Sequence, residues 1–211
     1  MRIPILLHLW GLSEGAPLVA AAVAHRPLRG ARAWVLAWCA LLLAESALQL
    51  ALALHGVRNL WMMYLFTPVT GAMVLWALSH WQRSEIARLT MRLAIAPFVA
   101  VLVALTFFFE NTSSFSRSAI PLASLVGLYA AAYTLVARAR VSTGDLLRQD
   151  WFWVSAGMAL YLGTYSTVGP LSALLVGSDP VLMNWAYQFE AVLVIIAFLA
   201  IARGMTCPAA T

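Results

Sequence analysis

The stretch PVLMNWAYQFEAVLVIIAFLAIAR, residues 180–203, decides the fold. It is long enough to cross a bilayer as a helix, since a span needs about 20 predominantly apolar residues. It also carries Glu190 about ten residues from its start, with no Lys or Arg in reach on the same helix. A carboxyl group at that depth is unfavourable unless the helix bundle supplies a partner for it. The stretch therefore predicts both a transmembrane helix and a polar site inside the membrane.

The composition of the whole chain points to the same class of protein. Of its 211 residues, 63% are hydrophobic and only 10% are charged, whereas soluble domains have about 45–50% apolar and about 25% charged residues. Seven apolar stretches of about membrane length fill most of the chain: residues 3–24, 33–54, 60–79, 93–109, 118–137, 151–176 and 180–203. We therefore expect an all-α, polytopic membrane protein with seven transmembrane helices. Residues 1–211 would form one transmembrane domain, with no soluble domain.

The arginines predict how the chain is oriented. All thirteen basic residues are Arg, which is typical of a GC-rich bacterial gene. Ten of them follow stretches 1, 3, 5 and 7: Arg26, Arg29, Arg32, Arg83, Arg88, Arg92, Arg138, Arg140, Arg148 and Arg203. The other side has three: Arg2, Arg58 and Arg117. Because short cytoplasmic loops carry the excess of basic residues, the N-terminus should lie outside and the C-terminus in the cytoplasm of a bacterial inner membrane.

The net charge of +5 has a simple interpretation in that orientation. Arginine-rich cytoplasmic loops attract anionic lipid, so the charge indicates a bilayer partner and not nucleic acid. The same loops offer a docking surface for a possible protein partner.

Three acidic residues remain after the loops are assigned. Five of the eight are predicted to lie in loops or at helix caps: Glu85, Glu110, Asp145, Asp150 and Asp179. Glu14, Glu45 and Glu190 fall close to the middle of their stretches. With no arginine predicted at that depth, each carboxyl should be neutral unless it is hydrogen-bonded or paired with a cation. They either join helices by hydrogen bonds or form a cluster that handles protons or cations.

Tyrosine and glutamine side chains share helix faces with these acids. Tyr129 and Tyr133 are separated by four residues, as are Tyr161 and Tyr165, so each pair lies on one helix face. Their buried hydroxyls need partners. The candidate ligand- or proton-binding set is Glu14, Glu45, Gln49, Tyr129, Tyr161, Tyr165, Tyr187 and Glu190. We expect these residues to line a pocket between stretches 1, 2, 5, 6 and 7 that receives a small polar or aromatic ligand; the alternative is a satisfied polar core.

Several functions are excluded or disfavoured by what the sequence lacks. A retinal protein of the opsin type needs a Schiff-base lysine, and this chain has no Lys. The four histidines show no metal-binding spacing, so we expect no metal and no other cofactor. No nucleophile elbow or phosphate-binding loop is present. Whether the chain is an enzyme is left open, with a non-enzymatic function favoured.

The sequence favours a small-solute or proton/cation-coupled transporter. Its basis is three midplane carboxyls beside prolines that interrupt helices, as carriers often have. Pro17 in particular predicts a kink in the first helix, close to Glu14. The alternative is a non-enzymatic seven-helix sensor or receptor, or an accessory subunit of a membrane complex.

Overall fold

The secondary structure of the described residues is entirely helical. A computed structural model describes residues 5–25, 28–110, 116–175 and 180–208. The helices are α1 Ile5–Glu14, α2 Ala16–Ala24, α3 Ala31–Leu54, α4 Trp61–Ser79, α5 Glu85–Leu93, α6 Ile95–Phe109, α7 Ala119–Ala139, α8 Asp150–Leu175 and α9 Pro180–Thr206. A short 3-10 helix, Leu146–Arg148, precedes α8.

Five helical segments are long and apolar enough to cross a membrane. They are Ala31–Leu54, Trp61–Ser79, Glu85–Phe109, Ala119–Ala139 and Asn184–Thr206. Helix α8 is 26 residues long, and Leu9–Ala24 forms a shorter apolar segment. The chain is therefore an all-helical protein with several candidate membrane spans, which confirms the predicted fold class at this level.

The first apolar stretch is broken where the sequence predicted a kink. Helix α1 ends at Glu14 and α2 begins at Ala16. Pro17 has no N–H to continue the α-helical ladder, and the Gly15 N–H donates to the Leu12 carbonyl at 3.1 Å. Glu14 consequently lies at a helix end, beside backbone groups that have left the regular pattern.

Between the third and fourth apolar stretches the sequence predicts a loop over residues 80–91, and this prediction is wrong. Helix α5 begins at Glu85, after Ser84 accepts a hydrogen bond from the Ala87 N–H at 3.4 Å. Ile86, Leu89 and Leu93 recur at helical spacing, and all three are exposed. Charged residues alternate with these apolar ones, so the composition of the segment resembles that of a loop. An amphipathic helix of this kind suits the surface of a bilayer and leads directly into α6.

Helix α8 packs between α7 and α9, and α9 also contacts α1 and α2. Close approach of α8 to α9 depends on glycine. A Cβ atom on Gly157 would come within 2.6 Å of the Ala197 carbonyl oxygen, and one on Gly204 within 2.6 Å of a Val154 methyl. Small residues commonly permit such helix contacts in membranes. In contrast, α6 is peripheral and buries only Leu102.

One end of the bundle gathers the arginine-containing segments. We call residues 28–32, 80–92, 138–150 and 203–208 the arginine-rich end. Asp150, predicted to lie in a surface loop, is instead buried as the first residue of α8. Its carboxylate accepts from Arg32 Nε at 2.9 Å, and both side chains are 3% exposed. Arg32 Nη2 also donates to the Cys207 carbonyl at 2.5 Å, so this buried ion pair joins α3, α8 and the end of α9.

Candidate functional site

A cavity of about 310 Å³ lies between α1, α3, α4, α7, α8 and α9. It lies toward the end of the bundle where α3 ends and α4 and α7 begin, opposite the arginine-rich end. Its size is at the small end of the roughly 300–1,000 Å³ found for ligand pockets.

The fold brings most of the sequence-predicted residues to this cavity. Those that line it are Glu14, Glu45, Gln49, Tyr161, Tyr165, Tyr187 and Glu190. They come from four helices that are distant in sequence: α1, α3, α8 and α9. That these residues bind a ligand or protons stays a prediction; their meeting around one cavity is an observation.

Tyr129 is a correction to that set. Its side chain is 75% exposed on the outer face of α7, and Tyr133 on the same face is 40% exposed. The buried face of α7 carries Gly127, Ala131 and Thr134. Spacing by four residues shows that two side chains share a face, but it does not show which face is inside.

The three glutamates have different immediate surroundings. Glu14 is buried, and the side chains of Ser46 and Trp10 interact with its carboxyl group. Glu14 Oε2 has no hydrogen-bond partner within the described part of the chain. Glu45 Oε1 accepts from Gln49 Nε2 at 3.0 Å, while Glu190 is 6% exposed on α9.

The described lining of the cavity contains no Arg, Lys or His. An unpaired carboxylate in apolar surroundings is strongly unfavourable. Each glutamate should therefore hold a proton or a bound cation. The described residues contain no group of three acidic, His or Cys side chains close enough to hold a metal ion. Glu14, Glu45 and Glu190 therefore line the cavity from three helices without forming such a group.

Aromatic rings form one side of the cavity. The Trp38 and Tyr161 ring centroids are 5.4 Å apart in an edge-to-face arrangement. The ring centroids of Tyr161 and Tyr165 are 4.7 Å apart, and those of Trp10 and Tyr165 are 6.4 Å apart. Phe198 stacks on Trp38, with 6.0 Å between the two ring centroids. The lining rings therefore belong to a packed cluster, which holds them in place.

Helix α4 contributes a wall that the sequence analysis did not include. Thr67 and Thr70 line the cavity on either side of Pro68. Their hydroxyls donate to the Met63 and Phe66 carbonyls at 2.6 and 3.0 Å, so the hydroxyl oxygens keep lone pairs for other donors. A proline flanked by two threonines within an apolar helix was the available signal, because it marks polar groups kept at membrane depth.

Three further polar residues of α8 and α9, Thr164, Thr167 and Asn184, are not part of the cavity lining. Asn184 is exposed on α9. Thr164 and Thr167 donate to the carbonyls of Leu160 and Gly163 in their own helix, at 2.8 and 3.0 Å.

A second cavity, of about 400 Å³, lies at the arginine-rich end. Arg83, Arg138 and Arg148 line it, together with Asp145, which pairs with Arg148 at 3.4 Å. The Arg138 guanidinium lies over the Trp151 ring, 5.6 Å from its centroid. The excess of positive charge suits an anionic group such as a phosphate.

Comparison of the chain with protein family models, curated proteins and solved structures gives no match. The chemistry of the two cavities is accordingly the basis for the function proposed below.

Proposed function

We propose that this chain is a carrier that couples movement of a small solute to protons or cations. The observation that supports it is the cavity with carboxyl groups from α1, α3 and α9 and no basic side chain in its described lining. Such groups can take up and release a proton or cation as the cavity changes access. Glu14, Glu45 and Glu190 would be the coupling site, and Tyr161, Tyr165 and Tyr187 would line the solute path.

The break between α1 and α2 fits a carrier of this kind. Carriers commonly bind solute at discontinuous helices, whose ends present free backbone groups to the site. Glu14 is the last residue before such a break, and Pro68 lies within α4 beside the cavity, where it removes one backbone hydrogen-bond donor.

We further propose seven membrane spans in a bacterial inner membrane. The α1–α2 pair and α8 would add two spans to the five long apolar segments. The arginine-rich end would face the cytoplasm, because basic residues concentrate on that side. Its cavity would then lie where the phosphates of anionic lipid are available.

Replacement of the cavity glutamates tests the carrier proposal. Proteoliposomes with an imposed pH gradient are loaded with a pH-sensitive dye, and proton flux is followed with and without candidate solutes. Glu45→Gln and Glu190→Gln should each reduce coupled flux by at least about tenfold, since the amide cannot release a proton. Glu85→Gln is the matched control: Glu85 is on the surface, paired with Arg88, and its flux should equal that of the unmodified protein. Unchanged flux in the cavity variants would contradict the proposal.

A sensor or accessory subunit is the second candidate. The cavity at the arginine-rich end favours it, because a basic surface with a defined hollow can receive an acidic partner segment. Purification in mild detergent separates the two functions. A partner retained in fixed stoichiometry supports the subunit, and a lone chain that moves solute supports the carrier.

A further inference from the structure

The first cavity has acidic side chains in its lining, and these favour a positively charged ligand over a negatively charged one. Glu14, Glu45 and Glu190 face it from three directions, and its described lining has no basic side chain to balance them. Any ionised carboxyl group in the cavity would repel an anion. A cation would neutralise that carboxylate, which little water is available to solvate.

The spread of the carboxyls speaks against a bare metal ion. A Ca²⁺ or Mg²⁺ site needs oxygen ligands converging to about 2.0–2.6 Å from one point. The described residues offer no such group. An ammonium ion needs only one carboxylate partner, because the faces of aromatic rings can complete its surroundings.

The aromatic wall adds a second preference. Cations are attracted to the faces of Trp and Tyr rings within about 6 Å of the ring centroid. Trp10, Trp38, Tyr161 and Tyr165 line the cavity as part of one packed cluster. These rings also offer apolar contact to the body of a ligand, which a metal ion or proton would not use.

The lining of the cavity also offers hydrogen-bond acceptors. The Thr67 and Thr70 hydroxyls donate their hydrogens to backbone carbonyls, so their oxygens are left to accept. Glu14 Oε2 is buried without a partner among the described residues. A buried carboxyl oxygen without a hydrogen-bond partner is unfavourable. A ligand that brings N–H donors would remove that penalty.

We propose that the ligand of this cavity is a protonated amine with an aromatic or apolar body. The ammonium group pairs with one of the three glutamates, and the body packs on Trp38, Tyr161 and Tyr165. The proposal rests on the carrier function and names its substrate class.

Binding of an amine cation has a consequence for protons. When the ammonium ion pairs with a glutamic acid, that carboxyl releases its proton to the solvent, and the carboxylate–ammonium pair remains. One proton therefore leaves as one positive charge enters, so amine and proton exchange.

Several titratable groups face this exchange. In the cavity lining they are Glu14 of α1, Glu45 of α3, Tyr161 and Tyr165 of α8, and Glu190 of α9, and Cys39 of α3 lies close enough to interact with Glu14. Tyr187 lines the same cavity. The α4 and α7 residues that line it carry no titratable side chain.

Three probes of equal size test the proposal on the unmodified protein. Benzylammonium, benzyl alcohol and benzoate share one ring and differ in charge. Each is titrated into purified protein in nanodiscs, with heat of binding and tryptophan fluorescence as readouts. We expect benzylammonium to bind at least about tenfold more tightly than benzyl alcohol, and benzoate not to bind. Equal binding of the alcohol, or preference for benzoate, would overturn the proposal.

Proton release gives a second readout of the same titration. The heat measured for benzylammonium should change with the ionisation enthalpy of the buffer, in proportion to one proton released. A heat that is independent of the buffer would overturn the exchange.

Variants locate the bound probe. Tyr165→Leu should weaken benzylammonium binding by about three- to thirtyfold, because a cation–aromatic contact contributes roughly 0.5–2 kcal/mol. Tyr165→Phe keeps the ring and should stay within about threefold of the unmodified protein. Tyr129→Leu is the matched control on the outer face of α7 and should change nothing. An equal effect of Tyr129→Leu and Tyr165→Leu would place the probe outside the cavity and overturn the proposal.

The outcomes separate the substrate class from the carrier function. Benzylammonium binding without any flux in proteoliposomes would support the amine site and contradict the carrier. Proton-coupled flux that depends on Glu45 and Glu190, in a protein that does not bind benzylammonium, would support the carrier and overturn the amine site.

Discussion

At the scale of single residues, the most heavily buried charge lies outside the candidate site. Arg32 and Asp150 pair at 2.9 Å with 3% exposure each, and Arg32 also holds the Cys207 carbonyl. Removal of one partner from such a pair leaves an unbalanced charge, whereas removal of both does not.

This pair gives a stability prediction. Asp150→Leu should destabilise the protein by about 3–5 kcal/mol, seen as a loss of thermal stability in detergent. The double variant Arg32→Leu with Asp150→Leu should recover part of that loss. Arg88→Leu, at an exposed pair with Glu85, should alter stability by at most about 1 kcal/mol. A double variant less stable than Asp150→Leu would contradict this account.

Individual residues also show what the sequence could and could not provide. The positions of the three glutamates are predictable, because an acidic residue within an apolar span almost always faces the interior of the bundle. Tyr129 was misplaced, since its spacing to Tyr133 is the same as that of Tyr161 to Tyr165. Only packing between helices distinguishes the two pairs: α7 buries its small residues, and α8 buries its tyrosines.

At the scale of elements, the contact of α8 with α9 depends on residues without side chains. Gly157 approaches the Ala197 carbonyl so closely that a methyl group at that position would force the helices apart. A Cβ atom on Gly163, six residues further along the same helix, would have only ordinary contacts at 3.8 Å or more.

The two glycines give a matched comparison. Gly157→Ala should destabilise the protein by about 1–3 kcal/mol, since overpacking displaces a neighbouring helix. Gly163→Ala should be neutral or stabilising, because alanine favours the helix by about 1 kcal/mol. Thermal unfolding in detergent, followed by circular dichroism, measures both. Equal stability of the two variants would contradict the packing described.

The sequence predicts helix boundaries well where an apolar run is uninterrupted. The prediction fails where charged and apolar residues alternate. The kink at Gly15 followed from Pro17. Helix α5 was not predicted because Glu85, Arg88 and Arg92 give its segment the composition of a loop. Their apolar neighbours share one face only when the residues are placed on a helix.

At the scale of the whole molecule, the concentration of arginines at one end carries the proposed orientation. The ends of α2, α4, α7 and α9 meet there. The opposite end has the turn at residues 55–60 and the residues around Arg117.

Accessibility to a membrane-impermeant maleimide tests that orientation. Arg58→Cys should react in intact cells, and Thr143→Cys only after the membrane is permeabilised. Cys39 and Cys207 are buried, so the unmodified protein provides the background. The reverse pattern of labelling would contradict the proposed orientation.

The meeting of helices around one cavity is the property that the sequence could not supply in full. Apolar length predicts spans, and depth predicts that Glu14, Glu45 and Glu190 lie at similar levels. Neither predicts that α4 closes the cavity with Thr67 and Thr70, because that depends on the order of helices in the bundle.

The central claim is that the cavity glutamates exchange protons for a cation. Infrared difference spectroscopy of the protein in lipid measures this directly, since protonated and ionised carboxyl groups absorb at different frequencies. Addition of benzylammonium should reduce the band of protonated carboxyl groups and increase that of carboxylate, and the change should diminish in Glu45→Gln and Glu190→Gln but persist in Glu85→Gln. A spectrum in which no carboxyl band changes while the amine binds would contradict the account.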